Sequence, residues 1–318
     1  MSELKISVVV PIHGVENYLN KCLSSLADQD FEYAYEVLCI NDNCNDNCEK
    51  IIDSFVELYP HIFKKINANN GNVSLSRNTG IENASGDYLT FVDGDDYVSN
   101  DFLKVLFDTV KKGKLNLGVC NFIMAYEDGK FKKDFSSYIA LNGFFNHKVA
   151  LNFLMGDLKI RGFAWNKIYK RSFILEHNMR FCDARVIVED MWFNAFAFFY
   201  NDLEVGCSKK RCYYYVQRQG SLLHQGYKPL HLADIMVNLL KAIRVVELKN
   251  MTKFPTKLLT FTRKYIIHYS IFANRKYIPN YKKTIKKYSK DIRAIKKIKS
   301  IDCLLYTSDA ADEARSVD

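Results

Sequence analysis

Short apolar runs alternate with helically spaced segments through residues 1–126. Residues 6–12 are apolar and rich in β-branched side chains, which predicts a buried strand. Residues 15–27 then place Tyr18, Leu19, Cys22, Leu23 and Leu26 at helical spacing. The same alternation predicts strands at 36–40, 62–66, 88–92 and 115–126. It predicts helices at 46–59, 73–83 and 102–112, the first with Ile51, Ile52, Phe55 and Leu58 on one side. Strands separated by helices imply an α/β fold with a mostly parallel sheet flanked by helices on both faces. The second half is less regular. Residues 148–155 and 191–200 read as helices, 205–216 as a strand containing Tyr213, Tyr214 and Tyr215, and the chain from 230 onward as helical and basic.

One junction in this pattern carries chemistry. The run from Tyr88 to Val92 ends in Asp93, Asp95 and Asp96. Carboxylates at the C-terminal end of a strand project into the crevice where open α/β sheets bind ligands. Crowded acids repel one another, and a divalent cation with a taste for oxygen ligands, Mg²⁺ or Mn²⁺, relieves that repulsion. Such an ion bridges naturally to the phosphates of a nucleotide. The competing reading is an acidic turn that caps a helix starting near Asn100 or Asp101.

Composition narrows the class. The chain has 318 residues, 48% hydrophobic and 14% aromatic, enough for one large domain or one domain with an appendage. No apolar run is long enough to span a membrane, and the N-terminus lacks a signal-peptide pattern. The nine cysteines show no zinc-like pairing, which suggests free thiols in a reducing cytoplasm. Cys44 and Cys48 share a helical spacing, but without two further ligands ordinary packing is expected of them. The net charge of +9 is uneven. Residues 1–250 hold 29 basic and 30 acidic side chains, whereas residues 251–302 hold 15 basic and two acidic ones, Asp291 and Asp302. The basic character therefore belongs to a C-terminal segment, and no nucleic-acid module accompanies it. The stretch 303–318 resembles the translation of a sequencing-library adapter and is expected not to be native.

Four more clusters stand at predicted element ends. Ser7 to Ile12 leads into a helix. Glu36 to Asp46 ends a strand in Asn41 and Asp42, where a carboxylate suits a base N–H or ribose hydroxyls. Asp46, four residues on, reads as a helix cap rather than a ligand contact. Asn70 to Gly80 places the single arginine Arg77 in a small-residue helix, and a guanidinium pairs well with a diphosphate. Glu189 and Asp190 open an apolar helix, where acids also complement the helix dipole.

Together the segments SVVVPIHGVENYLNKCLSSL, EVLCINDNCND, GNVSLSRNTGIENASGDYLTFVDGDD, AWNKIYKRSFI, EDMWF and YYYVQRQGS resemble a family-2 glycosyltransferase of GT-A fold, in that family's order. The resemblance implies an inverting enzyme of the bacterial surface-polysaccharide type. It moves a sugar from a nucleoside-diphosphate sugar, a UDP-hexose or UDP-N-acetylhexosamine, to a hydroxyl of a glycan or lipid-linked acceptor. It implies base contact by Asp42, an arginine near uracil and diphosphate in Arg77, and Mg²⁺ or Mn²⁺ held by Asp93 and Asp95 with Asp96 beside them. It implies a general base in Asp190, with Glu189 as the fallback. Trp165, Asn166 and Lys167 match an acceptor-side signature, and Arg218 and Ser221 a late motif that closes over the donor. His13-Gly14 and Asn43-Cys44 stand where the family usually shows Tyr-Asn and Gly-Ser, and His13 reads as a packing or hydrogen-bonding substitute.

The implied organisation is a catalytic domain over 1–225, a helical basic segment over 226–302 and the foreign stretch 303–318. The expected place is cytoplasmic, peripheral at the inner face of the plasma membrane, with 251–302 against anionic lipid. The alternative is a non-catalytic module that binds a sugar nucleotide or glycan without turnover. A dinucleotide oxidoreductase is disfavoured, because Pro11 to Gly14 lacks the Gly-x-Gly-x-x-Gly fingerprint.

Overall fold

The computed structural model describes residues 4–111, 115–126, 142–146, 162–181 and 203–218, with positions 130, 149, 150, 190, 193, 194, 197, 282, 283, 286, 287, 289 and 290. Ser221 and Glu189 lie outside the described residues, as do most of 226–302 and all of 303–318.

The first half alternates as its pattern predicts. Strand β1 (Leu4–Ile12), helix α1 (Glu16–Ala27), β2 (Ala34–Asp42), α2 (Cys48–Leu58), β3 (Phe63–Ala68), α3 (Val73–Asn83) and β4 (Tyr88–Phe91) follow one another. Next come β5 (Tyr97–Val98), α4 (Phe102–Lys111), β6 (Leu117–Tyr126), β7 (Gly143–Asn146), β8 (Lys167–Lys170), α5 (Arg171–Glu176) and β9 (Glu204–Gln217). The nine strands form one sheet in the order β3-β2-β1-β4-β8-β6-β9-β5, with β7 also alongside β9. The block β3-β2-β1-β4 is parallel throughout. Beyond it, β8 runs antiparallel to both β4 and β6, β9 runs parallel to β6, and β5 and β7 run antiparallel to β9.

Both faces of the parallel block are covered, which is why its strands read as nearly unbroken apolar runs. On one face Ile6, Val8, Val10 and Ile12 meet Leu19, Cys22, Leu23 and Leu26 of α1 and Ile52 and Phe55 of α2. On the other, α3 lies so close to β1 that a Cβ on Gly80 would fall 2.1 Å from a Val9 methyl. The small residues of 73–83 are therefore a condition of helix–sheet contact. Asn72 starts α3, its side chain accepting the N–H of Leu75 at 2.9 Å.

Two compact units are distinguished. Residues 1–185, 189–198 and 202–221 form the first, which carries every strand named above. Residues 222–318 belong to the second, with 186–188 and 199–201. Within it Lys282, Lys283, Lys286, Lys287 and Lys290 are helical and exposed, as the lysine spacing predicts. Among the described residues no helix is long and apolar enough to cross a membrane.

Candidate active site

The C-terminal ends of β1, β2 and β4 deliver His13, Asp42 and Asp93 to one edge of the sheet. Asp93 and Asp95 flank Gly94 in the turn after β4, and both acids are about one-quarter exposed: their side chains stand at 23% and 24%. Each meets a cation from elsewhere in the chain. An Arg77 Nη donates to Asp93 Oδ1 at 2.7 Å, and Arg218 Nε donates to Asp95 Oδ2 at 2.7 Å. Burial and the neighbouring Asp93 push the Asp95 carboxyl above the ordinary carboxylate range, against the pull of Arg218. Arg218, just past the end of β9, also lies over the ring of Tyr18 on α1, 5.6 Å from its centroid.

The expected acidic trio separates here. Asp96 is turned inward and is 1% exposed. Its two oxygens accept the Tyr213 hydroxyl at 2.6 Å and the Val216 N–H at 2.7 Å. Burial, reinforced by Asp95 and Asp93, drives its carboxyl well above the usual range. The Tyr213 oxygen in turn accepts the N–H of Asp93 at 3.1 Å. One phenol thus fixes the β4 turn from beneath, linking the backbone of Asp93 to the carboxylate of Asp96.

Arg77 is almost fully enclosed and joins two acids far apart in sequence. Its second terminal nitrogen donates to Asp190 Oδ1 at 2.7 Å. Its guanidinium carbon stands 5.3 Å from the ring centre of Phe181. Phe181 stacks on Phe193 at 4.1 Å, and both pack edge-on against Phe91 of β4. An apolar floor of this kind limits solvation of the bridge and strengthens it.

The other oxygen of Asp190 accepts the N–H of Ala164 at 3.1 Å. That peptide is held from its far side, because the Phe163 carbonyl accepts the ammonium of the fully buried Lys167. Lys167 also donates to Asn166 Oδ1 at 3.0 Å, and Asn166 Nδ2 donates to the Cys120 carbonyl at 2.8 Å on β6. Burial lowers the Lys167 pKa to about 7, with Asp190 opposing the shift. Trp165 stacks between Tyr213, at 4.3 Å, and Phe163, at 4.6 Å.

Asp42, at the end of β2, is held by the loop before α3. It is buried, and its oxygens accept the N–H groups of Asn70 at 2.6 Å and Gly71 at 3.2 Å and the hydroxyl of Ser76 at 3.0 Å. It ties the loop before α3 to the end of β2. His13 Nδ1 donates to the Asp42 carbonyl at 2.8 Å, the hydrogen-bonding substitution its position suggests. Asp46 caps two helices, accepting the N–H of Cys48 and of Glu16, each at 3.1 Å. Glu16 returns the contact by accepting the Asn47 N–H at 2.9 Å.

The structure thus brings Arg77, Asp93, Asp95, Asp190 and Arg218 to one region, with Asp42 and Asp96 as buried supports. Sequence reasoning missed Tyr213 and the Phe163–Ala164 peptide. The alternation along Tyr213, Tyr214 and Tyr215 was the available signal for the first, since the two flanking tyrosines share a face opposite Tyr214.

A family model described as glycosyl transferase family 2 matches residues 7–177. The chain is similar to the glycosyltransferase GlyA of Streptococcus pneumoniae, 30% identical over 229 residues. That match covers 69% of this chain and 31% of the relative, so the chain spans about a third of GlyA. Among solved structures it resembles Staphylococcus aureus TarS 1–349 in complex with UDP-GlcNAc, with a TM-score of 0.66 and 21% identity over 85% of this chain and 73% of that one. It also resembles the mannosyltransferase of Pyrobaculum calidifontis in complex with GDP-Man and Mn²⁺, with a TM-score of 0.54 and 13% identity over 98% and 80% of the two chains. These likenesses show the GT-A fold.

Proposed function

Because the chain belongs to glycosyl transferase family 2, we propose that it is an inverting glycosyltransferase acting on a nucleoside-diphosphate sugar. The donor we assign is a UDP-hexose or UDP-N-acetylhexosamine, and the acceptor a hydroxyl of a glycan or lipid-linked glycan in cell-surface polysaccharide synthesis. The observation that carries this reading is the Arg77 bridge. One guanidinium donates to both Asp93 and Asp190 at 2.7 Å, and we assign the first to the metal–diphosphate complex and the second to the acceptor.

The residues fit a divalent cation. Asp93 and Asp95 offer only carboxylate oxygens, the donor type Mg²⁺ and Mn²⁺ prefer, and burial together with the charge of Asp93 raises Asp95. Asp96 is left out of that set, because it is 1% exposed and turned away from Asp93 and Asp95 toward Tyr213 and Val216; its task is to hold the turn through Tyr213. When bound, the ion supplies positive charge to the leaving diphosphate.

The chain's own groups supply the rest. Asp190 takes the proton of the attacking hydroxyl, and the Ala164 N–H orients it through Oδ2. Arg77 bridges that base to Asp93, donating to both. Arg218 exchanges its contact with Asp95 for the donor's diphosphate, which makes it a counter-ion that arrives with closure. Ser221 follows it in the same late motif. Asp42 shapes the base pocket by holding Asn70 and Gly71. Residues 251–302 rest on anionic lipid, bringing the enzyme to a lipid-linked acceptor.

The test is a panel of nucleoside-diphosphate sugars with Mg²⁺ or Mn²⁺, followed by detection of the released nucleoside diphosphate. Release from one donor class, abolished by chelator, is expected. Tight donor binding with no release from any donor, acceptor fractions included, would make the chain a binding module instead.

A further inference from the structure

The turn between β2 and α2 gathers a second set of ligand atoms, of softer chemistry than the carboxylates after β4. The sulfurs of Cys44 and Cys48 and a carboxylate oxygen of Asp46 all lie within 4.8 Å of one another. We propose that Cys44, Asp46 and Cys48 form a site for a thiophilic divalent cation of the Zn²⁺ class, separate from the Asp93–Asp95 pair.

Three features support it besides proximity. The Cys44 thiol donates to the Ile12 carbonyl at 3.3 Å, which seats its sulfur against the end of β1 and beside the α2 turn. The Cys48 thiol already gives its proton toward Asp46 Oδ2 at 3.3 Å, so a cation there replaces a proton between the same two atoms. Cys44 is half-buried, which leaves a route from solvent, while Cys48 is enclosed at the first turn of α2.

The distances are close to what coordination needs. With Zn–S about 2.3 Å and Zn–O about 2.1 Å, ligand atoms of a tetrahedral centre stand ~3.5–3.8 Å apart. The three atoms must therefore draw in by at most about 1 Å. Three protein ligands leave a fourth position to solvent. A coordinating thiol is deprotonated outright, and each bound ion releases the two thiol protons to buffer. Because the Cys44 sulfur lies against the Ile12 carbonyl, the ion joins the end of β1 to the turn after β2. These are the two loops beside His13 and Asp42, so occupancy stiffens them.

The experiment uses the full chain, reduced and free of oxygen, titrated with Cd²⁺ while the thiolate-to-metal charge-transfer absorbance is followed. Zn²⁺ competition against a chromophoric chelator then gives its affinity. One equivalent is expected. C44S and D46N, both at accessible positions, should weaken binding by at least about tenfold, the scale that even an outer-shell loss produces. C207S, on β9, should bind as the unaltered chain does. Zn²⁺ should raise the melting temperature of the unaltered chain and not of C44S. Equal binding by C44S and the unaltered chain places the metal on other thiols and overturns the proposal, as does the absence of any charge-transfer band. C48S serves as a third variant, read only where its circular dichroism matches the parent.

Discussion

Arg77 holds Asp190 at 2.7 Å across 113 positions of sequence, and the same guanidinium holds Asp93 at the same distance. The pairing explains how a helix without a strong apolar stripe stays at the site. Arg77→Met strands two carboxylates beside an apolar floor. Breaking an enclosed ion pair typically costs about 3–5 kcal/mol, and that loss is expected in chemical denaturation. Arg77→Lys should recover less than half, because a point charge cannot span both acids as a planar fork does. An unchanged denaturation midpoint in the Met variant would show that the bridge contributes nothing to stability.

Asp95 and Asp96 are adjacent and should behave as opposites. Asp95→Asn should lower turnover by about 10²–10³-fold, the scale of removing one preorganised electrostatic group, with the fold retained. It should also raise the metal concentration needed for half activation. Asp96→Asn should leave that concentration unchanged, since its amide can still accept from Val216 and donate to Tyr213. It should instead lower the melting temperature, and Tyr213→Phe should do the same by removing the hydroxyl that joins Asp96 to the Asp93 backbone. A metal-activation curve shifted equally by both Asp variants would return Asp96 to the ligand set.

Asp190→Asn tests the base. Transfer should vanish while donor affinity stays within about twofold, because the residue acts on the acceptor. Collapse of donor affinity, with residual transfer in proportion to occupancy, would move Asp190 to the donor side and leave Glu189 as the base to examine.

The parallel half of the sheet was legible because its signals are local. Strands buried on both faces read as apolar runs, and α3 is found at 73–83 as its spacing predicts. The mixed half was legible only in part: β6 and β9 fall where strands were expected at 115–126 and 205–216, whereas β5, β7 and β8 were missed for physical reasons. Strand β8 opens with a buried lysine whose charge is answered by carbonyls no periodicity reveals. Strand β5 has two residues and exists only by pairing with Tyr213 and Tyr214. The site divides along the same line. The acids after β4 were visible as a crowd, but which of them turns inward depends on Tyr213, 117 residues away from Asp96. Asp46 was visible as a cap, and its place between two thiols depends on the turn at Asn43, whose φ of 51° lies in the left-handed region.

Lys167 predicts a pH signature. Its pKa falls to about 7 in the folded chain, against about 10.4 when unfolded. Below pH 7 both states carry the proton and the slope is flat. From pH 7 upward the unfolded state binds more protons, so this lysine makes stability rise with pH. The enclosed thiols Cys22, Cys39 and Cys212, raised by burial and neighbouring groups, act oppositely once unfolded thiols ionise near pH 8.5. The window is therefore pH 7 to about 8.5, with a rise of about 1–2 kcal/mol. Lys167→Met should flatten the slope there. A parent slope that is already flat, or one that survives in the Met variant, would reject the assignment.

The basic segment predicts salt-dependent membrane binding. Residues 251–302 interleave 15 basic side chains with apolar ones, among them Phe254, Leu258, Leu259, Phe261, Tyr265, Ile266 and Phe272. The described lysines 282, 283, 286, 287 and 290 are exposed on a helix. Each basic residue near an anionic surface contributes about 1 kcal/mol, and the attraction fades as salt shortens the screening length. Even a third of these residues in contact gives firm association at low salt. Co-sedimentation with vesicles containing anionic lipid should therefore be strong at low ionic strength, weak at high ionic strength, and nearly absent with neutral vesicles. Lys282, Lys283, Lys286 and Lys287 changed together to Gln should weaken it by about 10²-fold, since each screened charge retains a fraction of its full contribution. Equal pelleting with neutral and anionic vesicles, or full binding by a chain ending at residue 250, would show that the charge of this segment serves another partner.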